Sequence, residues 1–233
     1  MRALLLAAGL GTRLRPITDR IPKCLVPING KPLLEYWLDL LIESGIERIL
    51  VNLHYLPDAV TSFIAGSRWR NRIETVYERE LLGTGGTILE NRTFFQGEPF
   101  LVAHADNLTR FDVKAFMRRH AERPQRIAIT MLTFDTDAPH TCGIVDEDSN
   151  GVVIGFYEKV PNPPGTHANG AVYIFEQEVI DYMKSIGSRT VDLSTQVIPN
   201  YLGRILTFHN RDYHRDIGAP ESLRKAEAEF RLR

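Results

Sequence analysis

Apolar positions along the chain fall into short runs separated by stretches with helical spacing. Residues 2–8 form a buried-strand run that ends in a glycine-rich turn. Residues 32–44 read as a helix. Leu34, Trp37, Leu38, Leu41 and Ile42 make one stripe, Glu35, Asp39 and Glu43 face away, Pro32 suits the first turn, and Gly45 suits the position after the last. Strands are predicted at 48–53 and 73–77, with a helix at 57–66 between them. A glycine-rich turn at 83–86 leads into a short helix. A strand at 99–103, a helix at 112–121 and a strand at 126–134 follow. Strands alternating with helices imply parallel βαβ units and an open α/β sheet.

The pattern changes after residue 140. Residues 142–146 and 151–158 read as a hairpin closed by an Asn150-Gly151 turn. A strand is predicted at 169–175, helices at 177–185 and 191–201, and short strands near 204–209. The last helix starts at Pro220 and turns Leu223, Ala226 and Phe230 inward. Its Glu221–Lys225 and Glu227–Arg231 pairs are spaced i,i+4. There is no repeat, low-complexity tract or linker. The prediction is one α/β domain with a Rossmann-like open, mixed and mostly parallel sheet flanked by helices. Residues 1–135 form its nucleotide-type sheet and 136–233 a mixed part that completes the pocket.

Composition narrows the classes. A chain of 233 residues lies between one and two domains at about 150 residues each. The net charge of -1 gives no basic field for nucleic acid or a membrane surface. No apolar run approaches the ~18 residues of a membrane span. The N-terminus reads as a first strand rather than a signal peptide, because glycines, arginines and Pro16 follow it at once. Cys24 and Cys142 read as free thiols in a reducing compartment, and the cytoplasm is the expected location. Oligomeric state is not readable. Of the 28 cationic residues only six are lysines, so each is worth placing.

Several segments could carry chemistry. Gly9-Leu10-Gly11-Thr12-Arg13-Leu14-Arg15-Pro16 follows the first strand, at the edge where open α/β sheets bind ligands. Its glycines let backbone N–H groups approach phosphate, and its arginines add bidentate contacts. Position 14 is leucine, so the dinucleotide fingerprint is incomplete, and Pro16, Pro22 and Pro27 forbid a helix directly after the loop. Pro22 and Pro27 stiffen the segment that aims Lys23. Gly83-Thr84-Gly85-Gly86 is either a tight turn or a second close-approach loop suited to a base. Asp106, just past a strand, and the distant Asp216 could together hold Mg²⁺. His104 and His214 each precede one of these aspartates by two residues, which leaves room for a transition metal, but a phosphate loop favours a hard cation. Glu158-Lys159 and Asn169 end and open neighbouring strands and could read sugar hydroxyls and a phosphate. No serine or cysteine nucleophile is suggested.

The order of these motifs resembles that of the sugar-1-phosphate nucleotidylyltransferases over the whole length. AAGLGTRLRPIT at 7–18 and PKCLVPINGKPLLEYWLDLL at 22–41 carry most of the likeness. The resemblance implies that Ala8, Gly9, Gly11, Thr12 and Arg13 hold the nucleoside triphosphate and that Lys23 meets its α-phosphate. It implies that Glu80 and Gly85 line the base pocket and that Asp106 and Asp216 ligate Mg²⁺. Glu158, Lys159 and Asn169 would hold the sugar 1-phosphate, with Asn107 and Gly143 near the sugar. The implied reaction is in-line attack of a sugar-phosphate oxygen on the α-phosphorus, with release of pyrophosphate. Catalytic roles fall to Arg13 and Lys23. The short pattern looks like mannose-1-phosphate guanylyltransferases, which favours GTP, and also like uridylyltransferases of amino-sugar phosphates. An inactive nucleotide-sugar-binding regulator is the contrasting reading. The expected partners are an NTP and a sugar 1-phosphate, with neither nucleic acid nor membrane. The chain departs from the family pattern at Ala8, at the alanine before Asp106, and at Val160 after Lys159.

Overall fold

The computed structural model describes residues 1–230. The chain forms two compact units built from interleaved segments. One holds 1–81, 103–113 and 212–233, the other 82–102 and 114–211. The chain returns to the first unit twice.

In the first unit the strands Arg2–Leu6, Arg48–Leu53 and Ile73–Tyr77 pair side by side and run parallel. The βαβ expectation therefore holds here. Ala3, Leu4 and Leu5 are fully buried, as a strand covered on both faces requires. The helix Leu33–Glu43 buries the predicted stripe, and Gly45 follows it with a φ of 102°. That value is open to glycine at little cost and closes the helix. Lys31 is ion-paired 2.6 Å from Asp39.

A core cluster joins Leu14, Val26, Ile28, Leu33, Tyr36, Leu108, Ile217, Leu223, Ala226 and Phe230. It draws on segments from both ends of the sequence. The helix Pro220–Glu229 thus packs Leu223 and Ala226 inward, and Phe230 meets Tyr36 edge-on at 5.3 Å. The Glu221–Lys225 pair forms at 3.5 Å. The Glu227–Arg231 pair lies outside the described residues. Two short strands, Asn107–Arg110 and Tyr213–Asp216, pair antiparallel. Neither was expected: each has four residues and is largely polar, so no hydrophobic period marks it.

The second unit is mixed, as the change of pattern after 140 predicted. Ile129–Asp135 pairs parallel with Ile205–His209 and antiparallel with His167–Phe175. Gly143–Glu147 and Val153–Glu158 form the expected hairpin. Asp148 closes its turn by accepting from the N–H groups of Asn150 and Val152. The helices Val113–Ala121 and Gln177–Ser185 fall where predicted.

The predicted helix 191–201 is corrected. It is a π-turn, Leu193–Val197, followed by a 3-10 turn, Ile198–Tyr201. Pro199 has no N–H to donate, so the i→i−4 bond a continuous α-helix needs at that position cannot form, although Ile198 itself keeps helical backbone. Among the described residues, no helix is long and apolar enough to cross a membrane. Cys24 and Cys142 are both free thiols.

Candidate active site

In the first unit the glycine loop leaves the strand Arg2–Leu6 and is braced at both ends. The Ala7 N–H donates to Asn52 Oδ1 at 2.7 Å, and the Thr18 hydroxyl donates to the Gly11 carbonyl at 2.7 Å. Gly11 has a φ of 64°, and a Cβ there would stand 2.9 Å from Thr18 Cγ2. Both the conformation and the space exclude a side chain. Gly9 has open space around it. Thr12–Leu14 is a 3-10 turn whose Leu14 is fully buried and ties the loop to the core. Arg13 stays exposed on that turn, while Arg15 is paired with Asp19 at 3.2 Å.

Lys23 opens a further 3-10 turn directly after Pro22. Its side chain is only 8% exposed, and Nζ lies 2.7 Å from Asp106 Oδ2 and 3.4 Å from Asp216 Oδ1. Backbone pairing brings the two carboxylates to one place. Ala105 N donates to Leu6 O, Ile217 N donates to Asp106 O, and Asp216 stands opposite Asn107 in the antiparallel pair. Arg13 Nη2 lies 3.7 Å from Asp216 Oδ2. Gly218 keeps that corner open, since a Cβ there would meet Arg13 Nη2 and Asp216 Oδ2, each at 2.6 Å. Burial would raise the Asp106 carboxyl, but the Lys23 ammonium and the nearby His104 hold it below the usual range. Burial pushes His214 down to about 3, so its imidazole is neutral. Burial also pushes the Cys24 thiol up to about 12, which leaves it no nucleophilic role.

The convergence of both carboxylates on one cation is what a divalent-ion site requires. Among the described residues no group of three or more His, Cys, Asp or Glu is placed to hold a metal. Two carboxylates suit Mg²⁺, which takes one or two from protein and fills its octahedron with water and phosphate oxygens.

At the carboxyl ends of neighbouring strands lies a further polar set. Asn52 donates from Nδ2 to Glu78 Oε1 at 2.9 Å, and His54 Nδ1 meets the Glu78 carbonyl at 2.8 Å. Glu78 is buried, whereas Glu80, the carboxylate expected at the base, is exposed. The same Asn52 thus holds the start of the glycine loop and the Glu78 carboxylate. Its sequence signal is an amide near the end of an apolar strand. Asn107 is buried, and its carbonyl accepts from Trp37 Nε1 at 2.8 Å.

In the second unit Gly83, Gly85 and Gly86 lie in the first turn of the helix Gly83–Glu90. The N–H groups of Gly85 and Gly86 both donate to the Val191 carbonyl. A Cβ on Gly85 would reach Val191 Cγ1 at 2.8 Å, and one on Gly86 would reach the Arg189 carbonyl oxygen at 2.5 Å. Close packing against 189–191 accounts for these glycines without a ligand. The hairpin gathers other predicted residues. Gly143 stands opposite Glu158, whose Oε2 lies 2.6 Å from where a Gly143 Cβ would be. Lys159 has a left-handed φ of 50° and pairs with Glu158 at 3.0 Å. Asn169 donates to the buried Tyr173 hydroxyl at 2.6 Å and accepts from Ala171 N–H at 2.9 Å, which fixes its amide.

Known proteins share this framework. The family model described as nucleotidyl transferase matches residues 2–231. The UTP–glucose-1-phosphate uridylyltransferase of Synechocystis is 34% identical, over 91% of this chain and 58% of its own length. The mannose-1-phosphate guanylyltransferase of Mycobacterium tuberculosis is 32% identical, over 98% and 64%. The chain therefore spans about three fifths of the length of these relatives. Among solved structures, HddC of Yersinia pseudotuberculosis complexed with GMP-PN is 27% identical with a TM-score of 0.82, covering 99% of each chain.

Proposed function

The chain belongs to the nucleotidyl transferase family, and on that premise we propose that it joins a nucleoside triphosphate, preferentially GTP, to a sugar 1-phosphate. The products are a nucleotide-diphosphate sugar and pyrophosphate. The observation that supports this most is the grouping of Lys23, Arg13, Asp106 and Asp216 in one unit. Those are the charges that phosphoryl transfer needs, and they come without a nucleophile or a general base. None is required, because the attacking sugar phosphate is already an anion. The protein's work is then positioning and neutralising charge.

In this reading the backbone of Ala8, Gly9, Gly11 and Thr12 cradles the triphosphate. Arg13 takes the β- and γ-phosphates. Lys23 meets the α-phosphate and balances the charge that builds on its equatorial oxygens. Asp106 and Asp216 hold Mg²⁺, which supplies Lewis-acid polarisation of the phosphates when bound. Glu158, Asn169 and Lys159 hold the sugar 1-phosphate, with Gly143 and Asn107 near the sugar. Gly85 keeps its place in the base-side loop through the helix it packs.

An acidic residue leaving the strand Ile73–Tyr77 reads the base edge, Glu80 or the buried Glu78 that Asn52 holds. Carboxylate oxygens accept hydrogen bonds. Guanine presents two adjacent donors on one edge, whereas uracil and thymine present a single N–H flanked by carbonyls. The relatives include both guanylyl- and uridylyltransferases, so a uridylyltransferase acting on an amino-sugar phosphate is the second reading. The test is pyrophosphate release over a matrix of NTPs and sugar 1-phosphates with Mg²⁺. Turnover with GTP and one sugar phosphate is expected. Turnover confined to UTP would favour the second reading. No turnover in any well would leave the inactive-regulator reading ahead.

A further inference from the structure

The Lys23 ammonium stands where a divalent cation would have to stand. It is within 2.7 Å of Asp106 and 3.4 Å of Asp216. A metal bound by the same carboxylates sits about 2.0–2.6 Å from their oxygens. The two cations cannot share that space. The aspartates have little freedom to accommodate both. The Ala105–Leu6 and Ile217–Asp106 backbone hydrogen bonds hold the main chain that carries Asp106, and the second oxygen of Asp216 faces Arg13 at 3.7 Å.

We propose that Lys23 is the resident counter-ion of the Asp106–Asp216 pair, and that a divalent cation enters only together with a nucleoside triphosphate, which draws the ammonium off to its own α-phosphate. The role of the triphosphate rests on the nucleotidyl-transfer reading given above.

Charge accounting supports this order. Lys23 and Arg13 already balance the two carboxylates. A divalent ion entering alone would leave two surplus positive charges in a partly buried corner, where Coulomb energies are several times those in water. A triphosphate arriving with the metal supplies the missing negative charge. It also gives the Lys23 ammonium a new anion at the moment it loses the old ones. Lys23 then serves twice: it keeps the two aspartates together in the free enzyme, and it moves to the phosphate when the metal replaces it. An empty site would instead hold two carboxylates that repel each other.

The test is Mn²⁺ binding followed by electron paramagnetic resonance, with and without a non-hydrolysable nucleoside triphosphate. Wild-type protein is expected to bind Mn²⁺ weakly alone and at least about tenfold more tightly with the nucleotide present than the nucleotide itself binds Mn²⁺. Lys23→Met is expected to bind Mn²⁺ alone at least about tenfold more tightly than wild type, because the competing cation is gone. Equal Mn²⁺ affinity of wild type and Lys23→Met without nucleotide would overturn the proposal. If Lys23→Met does not fold, Lys23→Gln replaces it, and wild-type binding of Mn²⁺ alone as tight as with nucleotide overturns the proposal by itself. The nucleotide-free comparison needs no turnover. A failure of the functional reading would show in the pyrophosphate matrix and leave this comparison readable.

Discussion

The ammonium of Lys23 lies 2.7 Å from Oδ2 of Asp106, although 83 positions separate the two residues in the sequence. The ion pair is partly buried, so removing the cation leaves carboxylates without their partner. Lys23→Ala is expected to cut kcat by about a hundredfold or more, with a smaller change in nucleotide affinity, because the charge it balances grows towards the transition state. Steady-state kinetics with direct nucleotide-binding measurements check this. An unchanged kcat would remove the transition-state role.

Asn52 bridges Ala7 and Glu78, so in the proposed reading the base and phosphate contacts share one brace. Glu78→Gln replaces one acceptor oxygen with a donor and is expected to shift preference from GTP towards UTP. The change in the ratio of kcat/KM values should be about tenfold or more, since an unmatched polar contact costs about 1–3 kcal/mol. Glu80→Gln, on an exposed side chain, is expected to leave that ratio unchanged. A shift with Glu80→Gln and none with Glu78→Gln would return base reading to residue 80.

That contrast shows where sequence reading ran out. The helices at 57–66 and 177–185 and the strand at 48–53 were legible because apolar spacing alone specifies them. Lys23 and the two aspartates could be nominated from residue type and position. Their convergence could not, because it depends on the short Asn107–Arg110 and Tyr213–Asp216 pair, which has no hydrophobic signature. Glu78 and Glu80 differ by two positions on a segment leaving a strand, and only burial tells them apart. The reason for Gly218 is spatial, the corner that Arg13 and Asp216 occupy. The glycines at 83–86 read as a tight turn or a ligand loop, and the backbone at 189–191 that they pack against is revealed by no local pattern.

Gly143 gives a test of the hairpin. A methyl group there would stand 2.5 Å from Phe156 Cζ and 2.6 Å from Glu158 Oε2. Both side chains would have to shift. Gly143→Ala is expected to raise KM for the sugar 1-phosphate by about tenfold while leaving KM for the NTP nearly unchanged. The overpacking itself is expected to cost about 1–3 kcal/mol of stability, readable as a lower denaturant midpoint. Equal losses for both substrates would mean that the hairpin does not act on the sugar phosphate alone.

His120 sets an acid limit on stability that is separate from the chemistry. It is 2% exposed, with Nδ1 2.7 Å from Thr130 Oγ1 and Nε2 3.1 Å from Glu176 Oε1. Burial, helped by the Arg123 charge, lowers its pKa to about 3 from the usual 6.5. The neutral ring fits both contacts if Nε2–H donates to Glu176 and Nδ1 accepts from the threonine. Arg123 also bonds Glu176 and shares that carboxylate. The unfolded chain takes up a proton near pH 6.5, while the folded chain resists until about pH 3. Stability is therefore complete above pH 6.5 and falls as the pH drops through that window. At about pH 5 the loss from this one group is about 2 kcal/mol. Urea melts at pH 7 and pH 5 should show a loss of unfolding free energy in wild type that is smaller by about 2 kcal/mol in His120→Asn. An equal drop in both proteins would show that His120 is not the group that titrates.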